Sequence, residues 1–396
     1  MIWMDVMKQE ACYFSAALLL ATASACSSGA LPGQSPKSAS QSSTTTQSAI
    51  GRAARSDVKG DVFTMSNSAA GNAILRYARL ANGTLRLVGS FSTGGTGSGT
   101  GLNGASHTVN FGNAGSFLFA SDAGSNDIAV FDVSSTGMKL IGRFTSNGTT
   151  PASIAVWDST LYVLNEGSNT IAGFTIGANG TLNPIAGSTQ SLTGSASDDA
   201  VDLVFRSGGT ALFVPQKVSN VIDTFAVDGG VAGPAIAHSS NGTTPFGSVA
   251  TANGAIINTE ASGKVAGASA VSSYALGSDG SLSTVSGSVP NHQTAACWAA
   301  LTHRGNFAFV ANTGSNNISS YTVAPNGAVA LTKAVAIEPN GSAPADIGVS
   351  FDDGFVYVVN SGTHTIGAFR TVDHGTLKDV QILPGLPATA IGISVR

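Results

Sequence analysis

The chain has 396 residues, a net charge of −4 and 10% charged residues, where an ordinary soluble protein carries about a quarter. Its 49 glycines, with abundant Ser, Thr and Asn, favour turns and strands over helices. No basic surface is available for a phosphate backbone, which removes nucleic acid as a partner.

In chain order, the first element is the apolar run "ACYFSAALLLATA" at 11–23. It is too short to anchor across a bilayer and reads as an export leader. Ala23 and Ala25 fit an A-x-A cleavage site. The stretch "ASAC" also resembles a bacterial lipobox, in which Cys26 would be lipidated; Ala23 stands where that motif usually has Leu. Lys8 is offset by Asp5 and Glu10, and a start at Met7 gives a more ordinary leader. Residues 1–25 therefore read as a signal peptide. Residues 26–56 have almost no large apolar side chains and read as a disordered tether. The expected location is the cell envelope, periplasm or outer surface, with membrane contact through the lipid anchor alone. Cys12 leaves with the leader, so Cys297 is the one other cysteine; no disulfide framework is expected.

From residue 57 the chain repeats. An apolar second-strand sequence recurs at Val62, Phe117, Leu161, Ala211, Ala255, Phe307 and Phe355, spaced 44 to 55 residues apart. The last unit shows all parts: "PADIGVSF" at 344–351, "FVYVVN" at 355–360, "TIGAFRT" at 365–371 and "TLKDVQIL" at 376–383. Asn82-Gly83, Asn179-Gly180, Asp279-Gly280 and Asn326-Gly327 stand between third and fourth strands, where tight hairpins need positive φ. Seven such units predict an all-β fold over 57–396, a seven-bladed β-propeller of four-stranded antiparallel blades. "ATAIGISVR" at 388–396 is a first strand lacking a second, and "DVFTMSN" at 61–67 is a second strand lacking a first. The C-terminal strand is thus expected to close the N-terminal blade.

In a propeller, the starts of first strands and the ends of second strands share one rim. The first column reads His107, Ala152, Val201, a position near Phe246, Cys297 and Ala345; the second includes Ala123, Glu166, Lys217, Glu260, Thr313 and Ser361. Glu166, Lys217 and Glu260 fall on consecutive blades, with Asp122, Asp202 and Asp346 close in register. Such a ring suits a small polar ligand or acid–base work; a structural ion pair of Lys217 with Glu166 or Glu260 is the alternative. The six histidines show no metal-binding spacing, and no metal or cofactor is expected. His238, His292, His303, His364 and His374 fall in predicted loops facing solvent. The glycine-rich run at 92–104 lacks the phosphate-loop pattern and reads as a mobile loop near the channel mouth. Trp157 and Trp298 read as packing between blades.

"YVLNEGSNTI", "FVANTGSNNI" and "YVVNSGTHTI" resemble the YVTN-type repeats of the lactonase-like seven-bladed propellers, a group that includes bacterial 6-phosphogluconolactonases and fungal carboxy-muconate cyclases. "SHTVNFGNAGSFLFASD" at 106–122 is similar to that family's P-H-S-V to Y-V-A-D stretch, and "YVLNE" to its Y-V-x-N-E. The resemblance implies catalytic roles for His107 and Glu166, and binding roles for Lys217, Glu260, Asp122 and Asp202 follow from the rim columns. Where the family often has Pro-Arg-His this chain has Pro151, Ala152 and Ser153, and where it has Ser-Asn-Arg the chain has Ala311, Asn312 and Thr313. Two arginines that would hold an anionic group are replaced.

Three functions follow. The leading one is a binding module at the channel rim for a small polar ligand or an envelope protein. The second is a lactone hydrolase or cyclase using His107 and Glu166 for proton transfer, with Lys217 on an anionic substrate. The third is an inert structural envelope protein.

Overall fold

The seven repeats lie in seven separate antiparallel sheets of a computed structural model, which describes residues 57–100, 106–112, 116–135, 137–338 and 343–396. The leader, Cys12, the lipidation candidate Cys26 and the tether at 26–56 lie outside these residues. Lys59–Arg396 forms the compact unit. No helix among the described residues is long and apolar enough to cross a membrane.

Blade 7 shows the plan. Its strands are Pro344–Val349, Phe355–Asn360, Thr365–Val372 and Thr376–Pro384, paired in that order. The second strand is buried along its whole length, because blades cover both of its faces. The fourth alternates toward solvent. First strands of consecutive blades touch one another all the way round, blade 7 passing to Ile391–Val395 and that strand to Val109–Phe111 of blade 2. This makes a closed ring with first strands innermost.

The closure is as the sequence predicts. Ile391–Val395 pairs with Val58–Met65 and completes the sheet of Ala73–Leu80 and Leu85–Ser92. Asp61 clasps the junction, accepting from Arg76 Nε at 2.8 Å and from Arg396 Nη2 at 2.8 Å. Arg396 also lies over the rings of Phe63 and Phe111.

The repeated words have separate physical reasons. The tyrosine of "YVLN" sends its hydroxyl to the next blade: Tyr162 donates to Gly230 O at 2.8 Å, and Tyr357 donates to Gly83 O at 2.9 Å. The turn glycines sit at positive φ, Gly83 at 88° and Gly327 at 87°. A Cβ on Gly83 would fall 2.1 Å from the Phe355 ring, and one on Gly327 would fall 2.4 Å from Ala255. Glycine there serves both the hairpin and the close approach of the preceding blade.

Several sequence expectations differ in detail. Blades 3 and 4 have divided outer strands, Leu182–Pro184 with Gln190–Ser191 and Val231–Ala232 with Ile236–Ser239. Pro184 and Pro234 interrupt the ladders by lacking an N–H. His238 lies in a strand rather than a loop, with Nε2 3.0 Å from Thr224 Oγ1. The described part of the glycine-rich run is a bonded loop: Asn67 Nδ2 donates to Ser98 Oγ and Thr100 O, and Gly124 N to Thr96 O. Its glycines permit contact, since a Cβ on Gly97 would overlap the Asn67 backbone. Trp298 packs edge-on against Phe246 of the neighbouring blade, centroids 4.8 Å apart.

Candidate functional site at the ring of first strands

The rim is shaped by a recurring β-bulge. Pro151, Ala296 and Pro344 pair with Asn165, Asn312 and Asn360, and the next pairs skip one residue on the first strand. The skipped residues are Ala152, Cys297 and Ala345, members of the His107 column. A bulge frees one residue from the ladder and re-aims its side chain. Just before it the backbone is left-handed, with Thr150 at φ 52°, Asp199 at 52° and Ala295 at 53°. Those carbonyls accept the N–H of Glu166, Lys217 and Thr313, respectively.

That bonding sets the second column. Glu166, Lys217, Thr313 and Ser361 are equivalent, and in blade 5 the equivalent residue is Ala261, whose N–H bonds Thr244 O. Glu260 lies one residue earlier, at the place of Asn165 and Asn312. Asp122 shares that place, as the partner of Asp127 at its hairpin end. Side chains there latch the segment entering the blade. Asn312 accepts from Asn291 at 2.8 Å, and Asn165 donates to Ser146 O at 3.0 Å. Glu260 accepts from Gly242 N at 2.9 Å and from Ser272 Oγ at 2.5 Å; Asp122 accepts from Asn72 at 2.8 Å and from Thr93 at 2.9 Å. Both acids are buried. Burial, with the nearby Asp127 charge, raises the pKa of Asp122.

His107 is brought to Asp202. Its Nδ1 lies 2.9 Å from Asp202 Oδ1, the imidazole 28% exposed and the carboxylate fully buried. The contact reaches from blade 2 to blade 4, because Ser153 of the intervening blade leaves room and itself donates to Asp202 at 3.0 Å. Asp202 also accepts from Leu203 N at 2.9 Å and Ser248 N at 2.8 Å. Asp346 repeats this geometry, taking Ile347 N at 2.9 Å and Ile393 N at 2.8 Å. Each aspartate therefore fastens its blade to the next, and Asp202 in addition orients the histidine. His107 has a positive φ of 58°, a conformation uncommon for a residue that carries a Cβ.

The electrostatics follow from the neighbours. Burial would lower the pKa of His107, but Asp202, by charge and hydrogen bond, and Asp346, by charge, hold it above its ordinary value. Burial pushes Asp346 up to about 7, against the opposing pull of His107 and the two N–H donors. Lys217 stands 3.5 Å from Asp199 and 5.7 Å from the centroid of the Phe246 ring. Its ion-pair partner Asp199 and the Asp202 donor Ser153 each lie outside the two columns, and the first-strand register is the signal that places them. Among the described residues no three His, Cys, Asp or Glu side chains are grouped to hold a metal ion.

Comparison with known proteins agrees with this architecture. The family described as "Lactonase, 7-bladed beta-propeller" matches residues 72–195 and 105–259. No curated protein sequence matches the chain. Among solved structures, the periplasmic gluconolactonase of Pseudomonas aeruginosa is 16% identical with a TM-score of 0.63, over 85% of this chain and 98% of its own. A candidate 6-phosphogluconolactonase of Bacteroides uniformis is 16% identical, TM-score 0.63, over 85% and 99%. A Lactobacillus plantarum protein is 17% identical, TM-score 0.66, over 86% and 99%. At these identities the likeness is one of fold. With its YVTN-type repeats, closed ring and family match, the chain is a lactonase-like seven-bladed β-propeller.

Proposed function

We propose that the protein is a lactonase-type hydrolase working at the rim around His107. The supporting observation is the partly exposed imidazole bound through Nδ1 to a fully buried carboxylate. Asp202 fixes the tautomer with the proton on Nδ1, so Nε2 is the nitrogen that acts on water. The neutral ring takes a proton as water adds to the lactone carbonyl. The ring C–O bond then breaks, and the imidazolium returns the proton to the departing alkoxide. Glu166, whose N–H bonds Thr150 O on the same rim, would orient substrate hydroxyls or assist proton return.

A panel of sugar lactones offered to the purified protein, beside His107→Gln and Glu166→Gln, tests this reading. Turnover that both variants lose supports it. Absence of turnover with saturable ligand binding supports the binding module instead, a reading favoured by Ala152 and Thr313 standing where the family resemblance implies arginines. The export reading belongs with the proposal, in keeping with the apolar leader and the periplasmic setting of the Pseudomonas protein. Palmitate labelling lost in Cys26→Ser would support the anchor, and label retained in that variant would reject it.

A further inference from the structure

We infer that Asp122 and Asp127 share one buried proton, and that this bridge is a pH-sensitive latch on the glycine-rich loop between blades 1 and 2. The inference stands apart from the lactonase reading. Asp122 ends the strand Phe117–Asp122, Asp127 begins Asp127–Val133, and the two are direct partners across that hairpin. Side chains so placed leave on one face with Cβ atoms about 5 Å apart, where like charges repel. Both are buried, Asp122 wholly. Asp122 Oδ1 accepts from Asn72 Nδ2 at 2.8 Å and from Thr93 Oγ1 at 2.9 Å, and Asp127 Oδ2 faces Arg143 Nη2 at 3.2 Å. One oxygen of each, Asp122 Oδ2 and Asp127 Oδ1, is left without a hydrogen-bond partner. A proton on Asp122 Oδ2, donated to Asp127 Oδ1, satisfies both at once. Burial pushes the Asp122 carboxyl up to about 7, against the pull of Asn72 and Thr93.

The loop closes over this pair. A Cβ on Gly95 would fall 2.3 Å from Asp122 Oδ2 and 2.7 Å from Ser125 Oγ, so bare backbone covers the unpartnered oxygen. Thr96 N donates to Ser125 Oγ at 2.9 Å, Gly124 N to Thr96 O at 2.9 Å, and Gly95 N to Thr93 Oγ1 at 3.1 Å. Arg143, which holds Asp127, also donates to Gly94 O. It is the one other charged residue in the segments packed here, 66–73, 92–100, 121–127 and 142–150. On the side of the blade 2 first strand, His107 is turned to Asp202. When the proton leaves, two carboxylates face each other under the loop with one partly exposed guanidinium to answer them, and opening the loop admits water to both. The folded value of Asp122 is raised from 3.8, so closure is strongest below that value. It weakens by up to about tenfold per pH unit as pH rises toward the folded value, and is level beyond it.

Hydrogen exchange on the full protein tests this, with rates at pH 5 and pH 8 each divided by those of an unstructured peptide at the same pH. Protection of the amides at 93–97 should fall tenfold or more from pH 5 to pH 8, measured against the second strand of blade 7. Asp122→Asn puts a fixed N–H where the titrating O–H stands and keeps the acceptor for Asn72 and Thr93, so its loop protection should be level with pH. Asp127→Asn offers the same fixed donor from the other side and serves if the first variant does not fold. Level protection in the unaltered protein overturns the latch, as does an equal fall in the protein and in either folded variant.

Discussion

Asp202 holds His107 with one oxygen while its other oxygen binds the backbone of blade 5. The dyad therefore has two separable parts. His107→Gln should lower kcat/KM by about 10²–10⁴-fold, the usual worth of a positioned base, while Asp202 keeps its Ser153, Leu203 and Ser248 donors. Asp202→Ala should lose both activity and stability, since Leu203 N and Ser248 N lose their acceptor. A midpoint unchanged in Asp202→Ala would contradict the fastening role. The pH dependence has a definite sign. A base acts when deprotonated, and the two aspartates keep the proton on His107 above its ordinary 6.5. The rate should rise with pH through a midpoint above that value. Asp346→Asn removes one of the charges responsible, so its midpoint should move down.

The blade is legible from sequence because each word answers a local demand: glycine for positive φ, tyrosine for the reach to the next blade, asparagine for the latch. The predicted second strands at Phe117, Ala211, Ala255, Phe307 and Phe355 begin where the structure begins them. Less legible were positions governed by register. Glu260 was grouped with Glu166, yet it occupies the latch place, one residue earlier; an acid and an amide can fill that place alike, and residue type does not reveal the bulge beside it. Nor could spacing reveal that His107 reaches past a whole blade to Asp202, because that depends on Ser153 being small. The latch itself can be tested. Asn312→Ala removes the acceptor of Asn291 Nδ2 and the donor to Asn317 Oδ1 and Ser319 Oγ and should cost about 1–3 kcal/mol, read from denaturant unfolding.

For the whole ring, the closing strand joins the two ends of the repeat in one sheet. Deleting residues 388–396 should abolish cooperative unfolding, as blade 1 would lose its innermost strand and expose the edge of Val58–Met65. An unchanged thermal midpoint would refute the closure. The buried acids set a second global property. Asp122, Asp223 and Asp346 have raised pKa values through burial, so between about pH 4 and 7 the folded state holds more protons than the unfolded chain. By linkage, stability falls as pH rises through that window. His107 acts in the same sense, its contribution present below 6.5 and lost as pH passes its raised folded value. Asp279 and Asp352, whose values are lowered, act only below about pH 4. The midpoint should therefore be higher at pH 5.5 than at pH 8 by about 2 °C or more, measured by calorimetry. The clasp has a mechanical outcome as well. Asp61 N bonds Arg396 O at 3.1 Å, so the loose ends of two antiparallel neighbours emerge side by side. Tension drawn through both would peel their rungs one after another, starting at the Asp61–Arg396 ion pair, rather than shear them together. An optical-tweezers trace should then begin with a low-force release of the last strand before any blade gives way.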